Sequence, residues 1–313
     1  MKATHWAALG EHTFVGGVWL LYAVHRMLGR GFFRGLMFPV VLLHWCTRPG
    51  LRAASLQYLQ RLHRAQPGVF ARAPGAWQGL MHVRLFAETL LDKLLAMAGR
   101  YPFERVREQG LEQLEAARAS GRGGIFVTAH MGCLELCRVM GQRKAALDLT
   151  VLVHTAHAQA FNRILERLDP QARVRVLEVS DFGPATAQQL LAVVEAGGWV
   201  AIAGDRVPLH SQQVAWVDFL GHPAPLPVGP YVLAALLRCP LLLLACVHQG
   251  AGYSIRVARL AERVLLPRGQ RAQALQAHAQ AYADALTALL REAPYDWFNF
   301  YAFWERPDAL QPA

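Results

Sequence analysis

The residues whose types and spacing are best suited to chemistry are His130 and Glu135, within the stretch Gly123-Gly124-Ile125-Phe126-Val127-Thr128-Ala129-His130-Met131-Gly132-Cys133-Leu134-Glu135-Leu136. An imidazole takes a proton near neutral pH, and a carboxylate beside it orients the ring and stabilises the imidazolium. Their spacing sets a condition. On a regular helix, residues five apart are separated by about 500° and point roughly 140° away from each other. The two can pair only if His130 precedes the helix and the chain bends at Gly132. On a regular helix His130, Cys133 and Cys137 would instead share a face, as metal ligands do. No fourth ligand stands at a usual spacing and small buried cysteines are common in cores, so neither a metal nor a cofactor is expected. From spacing alone, His130 is either a catalytic base or a hydrogen-bonded core histidine.

The elements around this pair follow from the apolar pattern. Ile125 to Ala129 is rich in β-branched and aromatic residues and follows two glycines, so it reads as a buried strand with His130 at its carboxyl end. In α/β proteins, chemistry gathers where such strand ends turn into helices. From about residue 121 strands and helices alternate. Candidate strands are 124–129, 149–154, 173–179, 198–203, 241–247 and 252–258, and candidate helices 134–142, 158–168, 184–196, 228–238 and 270–292. Alternation implies βα units and a mainly parallel sheet. Phe103 to Glu108 is a further candidate strand, Leu111 to Arg118 a charged helix, and Ser180 to Pro184 a loop and helix start.

Trp199-Val200-Ala201-Ile202-Ala203-Gly204-Asp205-Arg206 is a second apolar run ending in polar residues. Asp205 and Arg206 either close the strand as a local ion pair or face the site beside His130. Phe219 to Pro230 reads as a stiff apolar loop, because prolines 223, 225 and 227 fix φ. It is either the wall of an acyl-chain groove or an ordinary rigid connector. The aromatic cluster Tyr295 to Trp304 packs on the core or sits at a membrane interface.

The chain has 313 residues, 54% hydrophobic and 17% charged, with a formal net charge of +10. That is apolar for a soluble protein. Lysine occurs only at Lys2, Lys93 and Lys144, so arginine carries nearly all the positive charge. A basic, apolar chain fits an anionic membrane surface or an acidic partner protein. No nucleic-acid motif appears, and nucleic acid is not expected as a partner. Five cysteines (46, 133, 137, 239 and 246) show no repeated spacing, which suits reduced, intracellular thiols. Residues 1–13 lack the order of a signal peptide.

Near the amino terminus the apolar runs Phe14 to Val24 and Leu36 to Cys46 are each about eleven residues, well short of a bilayer span. Between them, arginines alternate with aromatics (Arg26, Arg30, Phe32, Phe33, Arg34), which suits a segment lying among headgroups. The segment is expected to contact a membrane, either on its surface or as a tilted span with Pro39 at a kink. The alternative is a pair of core helices. Residues 51–72 read as an arginine-rich helix, solvated or facing headgroups, ended by Pro74 and Gly75. Trp77 to Met97 is apolar at helical spacing.

His130, four residues and then Glu135, after a glycine-led strand, resembles the H-x4-D/E motif of the glycerolipid acyltransferase superfamily. The ordered set resembles the late, lauroyl/myristoyl-type lipid A acyltransferases more closely. It comprises the segment 14–46, His130/Glu135, Gly204-Asp205-Arg206 and Phe219-Leu220-Gly221-His222-Pro223. Thr4 to Glu11 and Trp297-Phe298-Asn299-Phe300-Tyr301 further resemble an offshoot linked to aryl-polyene and flexirubin-type pigment clusters. Where lipid A enzymes carry an Asp-Gln-Asp-Tyr-Gly-like stretch, this chain has Gly204-Asp205-Arg206-Val207-Pro208, and no lysine follows residue 144.

The resemblance implies an α/β fold with a mainly parallel central sheet flanked by helices. Residues 1–75 would be a membrane-associated helical region and 76–313 the acyltransferase domain. It implies acyl transfer from an acyl carrier protein or acyl-CoA to a hydroxyl of a lipid-like acceptor, at the cytoplasmic face of the inner membrane. His130 would be the general base and Glu135 its partner. Asp205, Arg206, Gly132, Arg163, Gly221 and Pro223 would bind substrate, with Arg206 and backbone N–H groups near Gly132 facing the oxyanion. The rival expectations are a non-catalytic lipid-binding or scaffold protein and a true lipid A acyltransferase.

Overall fold

The computed structural model describes residues 15–145, 147–153, 174–178, 183–207 and 213–305. The candidate helix 158–168 with Arg163, the stretch Ser180 to Phe182 and the motif Thr4 to Glu11 lie outside the described residues.

Among the described residues seven strands form one sheet in the order β1-β9-β8-β2-β5-β3-β4. They are β1 (Val106–Gln109), β2 (Ile125–Thr128), β3 (Leu149–Val153), β4 (Val174–Glu178), β5 (Trp199–Ala203), β8 (Leu241–Gln249) and β9 (Gly252–Ala261). All neighbours run parallel except β8 and β9, which form an antiparallel hairpin. The central strands β2 and β8 are buried along nearly their whole length, which is why they read as continuous apolar runs.

Helices cover both faces, and strand alternation sorts the core between them. Ile125, Val127, Leu241, Leu243 and Ala245 pack against α6 (Pro184–Glu195), α7 (Gly229–Leu237) and α8 (Arg271–Glu292). Phe126, Leu242, Leu244 and Cys246 pack against α3 (Ala76–Met97), α4 (Leu111–Arg118) and α5 (Leu134–Ala145).

Two expectations change. The apolar runs lie in two helical stretches, together α1 (Val15–Thr47), divided by a kink with non-helical backbone at Gly29 (φ 79°) rather than at Pro39. Glycine alone adopts that angle at little cost. Two of its arginines turn inward: Arg30 pairs with Asp92 and Arg34 with Glu88, both on α3. Helix α2 (Pro49–Ala65) is not simply solvated either, because Tyr58, Leu59 and Leu62 lie in the main core.

The proline-rich stretch is not a loop but strand β7 (His222–Pro227), paired with β6 (Val214–Phe219) as a separate hairpin. In a two-stranded ladder every second residue of each strand points its N–H away from the partner. Prolines 223, 225 and 227 occupy one such alternating set, so the ladder runs through His222, Ala224 and Leu226. Leu220 and Gly221 make the turn, both at positive φ.

Candidate active site

The first site residue is placed by β2. The register pairs Thr128 with Ala203 of β5, so His130 and Asp205 leave the sheet side by side, two residues beyond that pair. From β2 the chain goes through α5 to β3 on one side of the pair. From β5 it goes on to β8 on the other. The crevice between two strands whose connections leave in opposite directions is where open α/β sheets hold ligands.

Asp205 is fully buried and grips His130 twice. Its Oδ2 accepts the His130 backbone N–H at 2.9 Å and its Oδ1 pairs with the ring Nδ1 at 2.7 Å. Oδ2 also accepts the Trp297 indole N–H at 2.9 Å and the Asn299 amide at 2.8 Å. Burial alone would raise the Asp205 carboxyl's pKa. The His130 charge and hydrogen bonds and the nearby Arg206 override it and hold the group well below the usual carboxylate range. Asp205 is therefore a permanent anion, which fixes the proton on Nδ1 and leaves Nε2 as the acceptor. The imidazole is 36% exposed, and no described residue hydrogen-bonds its Nε2. Enclosure of the rest of the ring lowers its pKa. Asp205 pulls the other way, while Arg206 and Lys93 push further down. The net shift is downward, so the ring is a neutral base at pH 7.

Glu135 does not supply that carboxylate. The chain does turn at Gly132 (φ 49°), where an added Cβ would fall 1.6 Å from the Cys246 carbonyl oxygen. The turn delivers Glu135 to Lys93 of α3 instead, with Oε1 3.3 Å from Nζ, and Oε2 accepts the Cys133 thiol at 3.8 Å. Burial lowers the Lys93 pKa, but Glu135 and Cys133 outweigh it and the ammonium stays charged. Burial, aided by Glu135, pushes the Cys133 thiol well above its ordinary value, so it is no nucleophile at neutral pH. Cys137 donates its S–H to the Ala245 carbonyl. No group of three metal-binding side chains stands together among the described residues.

The segment 296–299 locks this arrangement. Trp297 bridges Met131, the Phe298 N–H donates to the His130 carbonyl, and the Gly132 N–H donates to the Asp296 carbonyl. Arg206 donates from Nε to Asn299 Oδ1 and from NH2 to the Phe298 carbonyl. The N–H groups of residues 130, 131, 132 and 133 are all committed, to Asp205, Ala129, Asp296 and Cys246. The expected oxyanion donor at Gly132 is thus already spent. Gly221 and Pro223 lie in the β6–β7 hairpin, where the Gly221 N–H caps Asp218. The hairpin approaches the dyad through Phe219, whose ring centroid is 5.3 Å from that of Trp297.

Sequence reasoning missed Trp297, Asn299 and Lys93 as site residues. The aromatic cluster was visible, but nothing in it marks a hydrogen-bond role. Lys93 carried one faint signal, as a rare lysine inside an apolar helix.

A phosphatidylinositol mannoside acyltransferase from Mycobacterium tuberculosis (strain CDC 1551 / Oshkosh) is 25% identical to this chain over 195 residues, which are 62% of this chain and 58% of that protein. The chain thus spans less than two-thirds of that relative's length. The model of the bacterial lipid A biosynthesis acyltransferase family matches residues 70–306, a range that takes in the sheet, the His130–Asp205 pair and the segment that locks it, and the protein belongs to that family.

Proposed function

We propose that the protein is an O-acyltransferase that moves an acyl chain from a thioester to a hydroxyl of a lipid-like acceptor. The observation that carries this is His130, with Nδ1 held by a buried carboxylate and Nε2 open as a base. Nε2 takes the hydroxyl proton as that oxygen attacks the thioester carbonyl carbon. The C–O bond forms, the C–S bond breaks, and the proton passes from His130 to the departing thiolate. A positioned base of this kind is worth about 10²–10⁴ in rate. Asp205 stabilises the imidazolium formed on the way. With the N–H groups of 130–133 engaged and that of Leu136 donated to the Cys133 carbonyl, the oxyanion donors are the N–H groups of Leu134 and Glu135 at the start of α5, which helix geometry leaves without intrahelical acceptors. Family membership and the mannoside acyltransferase relative support the reaction class.

The donor is an acyl carrier protein or acyl-CoA. The net charge of +10 favours the carrier protein, an acidic partner drawn to a basic surface. The site of action is the cytoplasmic face of the inner membrane. No helix among the described residues is long and apolar enough to cross a membrane. Helix α1 nevertheless shows Phe32, Leu36, Val40 and Leu43 to solvent every three or four residues, with Met27 80% and Leu43 61% exposed. An apolar stripe on a basic chain suits peripheral docking on anionic lipid. The pigment-cluster offshoot, whose Trp297 to Tyr301 signature closes the site, points to an acceptor other than a phosphorylated disaccharide.

The test is transfer from a labelled acyl carrier thioester to membrane extract by purified protein. His130→Ala is expected to abolish transfer while leaving the fold intact. Transfer that survives this substitution contradicts the role of His130, and a wild type that binds lipid without transferring an acyl chain favours a lipid-binding scaffold.

A further inference from the structure

A second imidazole–carboxylate pair stands beside the first. His248, near the end of β8, is gripped by Asp296 as His130 is gripped by Asp205. Its backbone N–H donates to Oδ2 at 2.5 Å and its Nδ1 pairs with Oδ1 at 2.7 Å. Asp296 is buried, and the His248 side chain is 22% exposed. The Tyr253 ring lies against it, centroids 4.1 Å apart, and is itself fixed through its hydroxyl to Asp92. No described residue hydrogen-bonds His248 Nε2.

The two rings share one side of the sheet. Leu242, Leu244 and Cys246 of β8 face the α3–α5 layer, and His248 follows in phase. Phe126 of β2 faces the same layer, and His130 follows in the same phase. The strands are neighbours, with Val127 opposite Leu243, and just beyond β2 the Cys133 N–H donates to the carbonyl of Cys246, two residues before His248. Their proximity is shown by one short segment: the Phe298 N–H donates to the His130 carbonyl, and Asp296, two residues earlier, holds the His248 ring. Adjacent residues of one segment serve both pairs, since Asp296 binds His248 and Trp297 binds Asp205.

A buried carboxylate on Nδ1 makes Nε2 of His248 a hydrogen-bond acceptor, just as at His130. Acyl transfer uses one base, so the mechanism leaves this second acceptor without a task. We infer that His248 is a positioning residue that accepts a hydrogen bond from a second hydroxyl of the acyl acceptor. The acceptor is then a polyol headgroup, with a further hydroxyl within a ring's breadth of the one acylated. This rests on the acyl-transfer proposal for His130.

The experiment compares dodecyl β-D-glucoside, a polyol, with 1-dodecanol as acceptors for a carrier-protein thioester. The wild type should prefer the glucoside in kcat/KM. His248→Ala should lower the glucoside-to-dodecanol ratio about tenfold or more, mainly through the glucoside KM, and His248→Gln, which retains an acceptor oxygen, should restore part of it. A merely structural loss would lower both acceptors together, and an unchanged ratio or a wild type without preference overturns the inference. A second arm does not depend on turnover. In His130→Ala protein with ¹⁵N-labelled histidine, dodecyl glucoside should shift the His248 Nε2 resonance and dodecanol should not. Failure of transfer with this shift present would count against the His130 mechanism alone, whereas absence of the shift overturns the role of His248.

Discussion

At the scale of single residues, Asp205 rather than Glu135 holds His130. Asp205→Asn keeps the size of the side chain but removes the charge, and its amide cannot satisfy all four donors that converge on it. Transfer should fall about 100-fold or more. The acid limb of the pH profile gives an independent check. Because the His130 pKa lies below its ordinary value, kcat/KM should stay flat as pH falls through 6.5 and decline only below it. Asp205 raises that pKa, so Asp205→Asn should move the limb to still lower pH, as read from kcat/KM between pH 4 and 8. Glu135 belongs to another interaction. Glu135→Gln leaves a largely buried Lys93 ammonium without its partner, so the expected effect is a lower Tm.

At the scale of elements, the segment 296–299 is the clasp. Trp297→Phe keeps an aromatic ring in the core, removes the N–H donated to Asp205 and leaves a small cavity among Tyr58, Phe219 and Phe303. A hydrogen bond to a charged group is worth about 1.5–3 kcal/mol, so activity should drop at least about tenfold with modest loss of Tm. Strand β2, its terminal histidine and the βα rhythm are legible in the sequence because buried parallel strands are continuous apolar runs. The partner of His130 is not, since sequence spacing favours the nearby Glu135 and only the β2–β5 register brings Asp205 across 75 residues. The β6–β7 hairpin is hidden for another reason. Alternating prolines resemble a rigid loop until an isolated two-stranded ladder makes their missing N–H groups harmless.

At the scale of the whole molecule, the amino-terminal helices and the site form one hydrogen-bonded chain. The Ser55 hydroxyl of α2 donates to His82 Nδ1 of α3 at 2.9 Å, and His82 Nε2 donates to the Trp297 carbonyl at 2.9 Å. Tyr58 of α2 adds a bond to the Pro294 carbonyl. His82 is fully buried, and burial lowers its pKa to about 4 despite the bond to Trp297. The unfolded chain binds that proton near 6.5, so the contribution of the neutral ring is complete above pH 6.5 and lost as pH falls toward 4. It amounts to about 3 kcal/mol. Denaturant titrations should show stability falling over that range, and His82→Gln should flatten the fall. Helix α1 carries the outward prediction. Replacing Phe32, Val40 and Leu43 with serine should weaken sedimentation with anionic vesicles, with little effect on folding because these side chains are exposed.

The most direct measurement sets Asp205→Asn beside Glu135→Gln in one transfer assay, each corrected for its folded fraction by circular dichroism. Asp205→Asn should lose about 100-fold or more, while folded Glu135→Gln should stay within about tenfold of the parent. The opposite ranking would mean that Glu135 serves the imidazole during catalysis, and the assignment of Asp205 as the partner of His130 would be wrong.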